Sequence, residues 1–219
     1  MTKTSVVFFL AAGIALGQDA VKVAGSQYKL IAENENVRLV EANLAPGAKT
    51  PMHSHPALMA VILQPSVTKW TMPDGNSRQS PPDLKRGSVV SMGAESHVSE
   101  NAGKTALQAV LIEFKKAAPA AAKAGKAAPL ANCKIVADSP QATAQLCTGA
   151  PGSTVARHTH TNSVVYVALT DTTAEITDGA GKKRPMEMKR NSASIAPPET
   201  HSARNTGKNS YELIVVDLK

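Results

Sequence analysis

The 219-residue chain contains six histidines, and they fall into two copies of one pattern: His53, His55 and His97, then His158, His160 and His201. A pair at i, i+2 on a strand turns both imidazoles to one face. Because imidazole is the commonest side-chain metal ligand, the two triads read as two metal pockets. The spacing repeats closely. Gly47 and Gly152 each stand six residues before the first histidine, and the third follows the second by 42 residues in one copy and 41 in the other. Asn101 and Asn205 come four residues after the third. A lone interior histidine is usually a satisfied core residue, but three at matched spacing, twice over, point to metal.

The elements that must position them also come twice. Residues 28–55 slide forward by 105 onto residues 133–160 without a gap, and the closing runs VLIEFK and IVVDLK align at an offset of 104. The chain is a tandem duplication, and each half reads as all β. VRLVEANL, MAVILQPSV, SVVSM and QAVLIEF are short apolar runs rich in β-branched residues, and VVYVAL, TAEIT, SASIA and YELIVVDL repeat the theme. Asp74-Gly75 and Asp178-Gly179, also offset by 104, are expected to be two-residue type I′ hairpin turns. Alternation puts His53 with His55, and His158 with His160, on what would be the interior of a closed barrel.

The runs Gly47 to His55 and Gly152 to His160, with Gly87 to Asn101 and Asn191 to Asn205, resemble the two motifs of the cupin superfamily, specifically a bicupin. The resemblance covers nearly everything except residues 1–20 and 115–132. It implies an all-β fold of two tandem double-stranded β-helix (cupin, or jelly-roll) barrels joined by an Ala/Pro/Lys-rich linker. The chain departs from the pattern in three ways. The turn before the third histidine is a residue shorter than usual, Asn191 replaces a glycine, and the first motif's glutamate is missing twice. Neither PALMAVILQP after His55 nor TNSVVYVAL after His160 contains an acid. Three-histidine cupins are similar in ligand set to dioxygenases that bind a bidentate anionic substrate and O2 on ferrous iron.

Three neutral imidazoles leave a metal's dipositive charge uncompensated, which favours an anionic small-molecule ligand or substrate in the open positions. The donor set suits a divalent transition metal and does not choose among Fe, Zn, Ni, Cu or Mn. Asn162 and Ser163 lie near the vacant glutamate slot of the second unit, where they could hydrogen-bond a ligand, whereas Leu58, Met59 and Ala60 leave the first more apolar. Glu95 and Glu199, two before the third histidine, are candidates to orient that imidazole, or are simply exposed. Asn101 and Asn205 are expected to fix strand-end geometry, and Arg157 and Arg204 to point outward. Three classes of function stay open: an exported metal-dependent oxygenase or related lyase or isomerase, a non-catalytic module holding a sugar, small acid or metal, and a pair of structural barrels with vestigial sites.

Residues 1–17 have a short basic start, an apolar run and the small-residue end Ala15-Leu16-Gly17, and are read as a signal peptide for a secreted or periplasmic protein that is not membrane-bound after cleavage. The units are expected at 21–114 and 133–219. The formal charge of +7 argues little for nucleic acid as a partner, because residues 115–132 hold four lysines and no acid, residues 18–114 are balanced, and aromatics are only 3%. That linker is expected to be extended and exposed, interrupted by Pro119, Gly125 and Pro129. Cys133 and Cys147 are symmetric about residue 140. If Ser139 to Gln141 form a hairpin bend, the two face each other, and export favours a disulfide.

Overall fold

The computed structural model describes residues 18–117 and 129–219, so the expected leader and most of the expected linker lie outside the described residues. In the first unit a one-turn helix, α1 (Ala20–Val23), precedes β1 (Tyr28–Glu33), β2 (Val37–Leu44), β3 (His53–His55), β4 (Leu58–Gln64), β5 (Thr68–Thr71), β6 (Ser77–Gln79), β7 (Val89–Met92), β8 (Glu95–Asn101) and β9 (Leu107–Phe114). The second repeats the series as β10 (Cys133–Asp138), β11 (Ala142–Gly149), β12 (Thr154–His160), β13 (Val164–Ala168), β14 (Thr172–Asp178), β15 (Lys183–Met188), β16 (Ala193–Ala196), β17 (Glu199–Asn205) and β18 (Tyr211–Leu218). Each unit is a jelly-roll barrel of two antiparallel sheets. The first pairs a sheet of order β1-β2-β9-β4-β7 with one of order β3-β8-β5-β6; the second pairs β10-β11-β18-β13-β16 with β12-β17-β14-β15.

Strand period explains where the core sits. In β4 the even positions Leu58, Ala60 and Ile62 face the interior of the first barrel, while Met59, Val61 and Leu63 face the other way. That outer face is not solvated. It packs on Val165, Val167, Leu169, Ile214 and Val216 of the second unit, so one apolar cluster is drawn from both barrels. The five-stranded sheets therefore stand back to back, and β4 and β9 are buried on both faces. Polar contacts fix the edges of this seam. Ser163 Oγ accepts from Asn34 (3.1 Å) and Asn36 (3.3 Å), and Arg86 donates to Leu169 O (2.6 Å) and Asn191 Oδ1 (2.7 Å). Asn191 holds φ +70° where its counterpart Gly87 holds +81°. Asparagine tolerates that left-handed position and contributes an acceptor there.

Two local expectations are settled differently. Cys133 and Cys147 do pair as a disulfide across β10 and β11. Near its bend, however, the hairpin is centred half a residue later, as the pairs Asp138↔Thr143 and Ala137↔Ala144 show. A bulge at Val136 restores the register that brings the cysteines together. The same bulge recurs at Ile31 in the first unit. The Asp-Gly turns are not two-residue type I′ loops. Gly75 N bonds Met72 O while Met72 N bonds Asn76 O, and Gly181 N bonds Asp178 O while Asp178 N bonds Lys182 O. Only Gly75 and Gly181 have positive φ, as expected of a turn closed by a single left-handed residue, so the equivalent glycines lie 106 apart and Gly179 is not one of them.

Candidate metal centres

β3 is only three residues long and lies at the edge of its sheet, yet its register against β8 builds the site. His53 is paired with His97 and His55 with Glu95, all on the inner face. The second unit repeats this with His158 opposite His201 and His160 opposite Glu199. The third histidine of each motif is thus the cross-strand partner of the first, which brings residues far apart in sequence within reach. Each triad offers three ligand atoms that all lie within 4.8 Å of one another. The first triad is buried throughout; in the second, His158 is partly exposed.

Hydrogen bonds set the tautomers. His53 Nδ1 lies 2.8 Å from Pro51 O and His158 Nδ1 2.8 Å from Ala156 O. His55 Nδ1 lies 2.6 Å from Glu113 Oε1, His160 Nδ1 bonds Asp217 Oδ1, and His97 Nδ1 lies 2.8 Å from Glu95 Oε1. His201 Nδ1 comes within 3.1 Å of Glu199 Oε1, but too far off line to count as bonded. With acceptors facing Nδ1, the proton belongs there and the Nε2 lone pairs are left to converge. His158 Nε2 and His160 Nε2 stand 3.1 Å apart, and His53 Nε2 is buried with no partner. An orphaned buried nitrogen in a cluster of like atoms fits a metal ligand. All six expected ligands are therefore brought together, three by three.

Burial pushes His97 down to about 4, helped by repulsion from His53 and His55, and burial with repulsion from His158 does the same to His201. His53 is also lowered, first by burial. Between about pH 4 and 6.5 the unfolded chain binds more protons at these sites than the folded one, so stability falls as pH falls through that window. The metal-free protein should show its urea midpoint dropping between about pH 6.5 and about pH 4.5. A His97→Gln, His201→Gln variant should flatten that profile; a variant with an unchanged slope would contradict the assignment.

The carboxylates behind the imidazoles were only partly foreseen. Glu95 and Glu199 do face their histidines, and each is gripped by an arginine, Arg78 (2.6 and 2.8 Å) or Arg184 (2.6 Å). Burial alone would raise the Glu95 carboxyl, but Arg78 and His97 outweigh it and hold it below the ordinary range. Glu113 and Asp217 were missed, although each is the lone acid in the duplicated closing runs. Glu113 receives Arg38 Nε at 2.6 Å, and Arg38 pairs at 2.5 Å with Asp19, the N-cap of α1. Two carboxylates thus stand behind each triad at one remove from the ligand atoms, and three of the four are themselves paired with an arginine. Asn162 and Ser163 do not reach the second site, since Ser163 is committed to the inter-barrel seam and Asn162 donates to Leu218 O. Asn101 and Asn205 fix strand ends as expected, their amides bonding Leu44 O and Gly149 O, and Arg157 and Arg204 are exposed.

Two jelly-roll barrels, each with a histidine triad on its inner face, define a protein of cupin fold. Solved structures with that fold are similar over 88% of the chain. AerE from Microcystis aeruginosa matches at 15% identity and TM-score 0.62 over 97% of its own length, and a cupin 2 conserved barrel domain protein from Leptotrichia buccalis at 12% and 0.54 over 88%. An oxalate decarboxylase of Bacillus subtilis, a protein with Mn(II) centres, matches at 14% and 0.61 over 75% of its length. The sequence matches no protein-family model and no curated protein.

Proposed function

We propose that the chain is an exported bicupin lacking the first motif's glutamate, which holds one divalent transition metal per barrel on His53, His55 and His97 and on His158, His160 and His201. Its open coordination positions would serve a small anionic substrate. The convergence of three imidazoles in each unit, with Nδ1 already engaged in five of the six, carries this reading. A metal held there would supply Lewis acidity and, were it redox-active, one-electron chemistry, which is the basis for proposing an oxygenase-like activity. The chain's own part is to orient the imidazoles of His97, His55 and His160 through Glu95, Glu113 and Asp217. The leader-like residues 1–17 and the Cys133–Cys147 disulfide support export. One observation favours a second reading, a module that binds without turnover: among the described residues, apart from the histidines and tyrosines, no side chain lining either cavity is suited to moving a proton.

Elemental analysis of protein purified without added metal, repeated on His53→Ala and His158→Ala, tests the centres. Two metals per chain should fall to one in each variant, and a wild-type protein without stoichiometric metal would refute the reading. Oxygen uptake with diketones, thiols and phenolic acids then separates enzyme from binder.

A further inference from the structure

We infer that each cavity selects a compact monoanion with an apolar body, one charged head for the metal and no second charge; this rests on the metal reading above. The cavity beside the second triad is small, about 60 Å³, and its walls are chiefly Tyr166, Ile176, Met186, Leu213, Val215 and the Cys133–Cys147 pair. The first, also about 60 Å³, is walled by Leu58, Ile62, Trp70, Met92 and Leu111 beside His55 and His97. Among the described residues, no lysine, arginine, aspartate or glutamate lines either one.

Of the polar groups in the walls, the Tyr166 and Tyr211 phenols are pushed up by burial and stay neutral, and others are already committed. The Asn205 amide donates to Gly149 O and Asn209 O, and its oxygen accepts from Gly207 N. Tyr28 donates to Ser99, and burial pushes its phenol up to about 12, so it offers no charge. The guanidiniums of Arg78, Arg184 and Arg38 are bound to Glu95, Glu199 and Glu113. A ligand whose head sits at the imidazole cluster therefore lays its body against hydrocarbon, sulfur and aromatic rings. A second carboxylate or an ammonium on that body would be stripped of water and find no counter-ion. The space is a few water volumes, which limits the body to a handful of heavy atoms.

Cobalt(II)-loaded protein, followed by visible absorption, tests this with three probes of equal chain length: butyrate, succinate and 4-aminobutyrate. Butyrate should bind more tightly than either of the others by roughly thirty-fold or more. Met186 lies on the edge strand β15, and Met186→Arg should recover succinate binding by about ten-fold at the second site while weakening butyrate. A cobalt-loaded protein that takes succinate as readily as butyrate, or takes neither, overturns this inference and leaves the metal centres standing. A protein that retains no cobalt overturns both.

Discussion

Glu113→Ala is expected to lower stability by about 3–5 kcal/mol at neutral pH, because it breaks a buried ion pair and leaves its partners behind. The Glu113 side chain is 1% exposed and holds Arg38 through one oxygen and His55 through the other. Without it, the guanidinium keeps only Asp19, and the His55 Nδ1 proton loses its acceptor inside a barrel. Asp217→Ala is the matched control. That carboxylate is 30% exposed and is held by His160 and Gln145, with no arginine, so its loss should cost about 1–2 kcal/mol. Urea unfolding of the metal-free proteins measures both. Equal losses would show that the Asp19–Arg38–Glu113 chain contributes nothing beyond one hydrogen bond. With metal, Glu113→Ala should also weaken the first centre by about 10–100-fold, since an imidazole without its orienting acceptor is a poorer ligand.

The second large effect crosses between the units. Ile214 is fully buried in the cluster shared by the two barrels, so Ile214→Ala removes apolar contact and leaves a cavity, at about 2–5 kcal/mol. The informative readout lies in the other unit. Trp70, the chain's single tryptophan, lies in the first barrel with its ring 6.3 Å from that of His97. If the shared core makes the barrels unfold together, the substitution in the second barrel should shift the Trp70 fluorescence midpoint as far as it shifts the loss of β circular dichroism. Two separated transitions, with the Trp70 one unmoved, would show that the barrels unfold independently.

Much of this was legible in the residues. The histidine spacing named all six candidate ligands, because a strand's period of two and a duplicated third position leave few other geometries. The cysteine symmetry named the disulfide, although the register that makes it depends on a bulge at Val136 that no residue type announces. The back-to-back packing was hidden for a physical reason. A run such as MAVILQ, buried on both faces, loses the alternation that would say which side meets what. Ser163 misled because proximity in sequence to the missing glutamate says nothing about which face a residue takes, and it faces the other barrel. Glu113 gave a usable signal, an acid inside an apolar run repeated as Asp217, but only the fold shows it against His55.

The wall common to the two barrels has a further implication for how such a chain came to exist. A single repeat standing alone would present Met59, Val61 and Ile112, or Val165, Val167 and Ile214, to water as a flat sticky sheet. It would be soluble only after pairing with a copy of itself across the same surface, an isologous arrangement. The tandem protein thus has the architecture of a homodimer fused into one polypeptide. Fusion frees its halves to diverge, as Arg38 and Asp19 have done around one cup and the Cys133–Cys147 staple around the other.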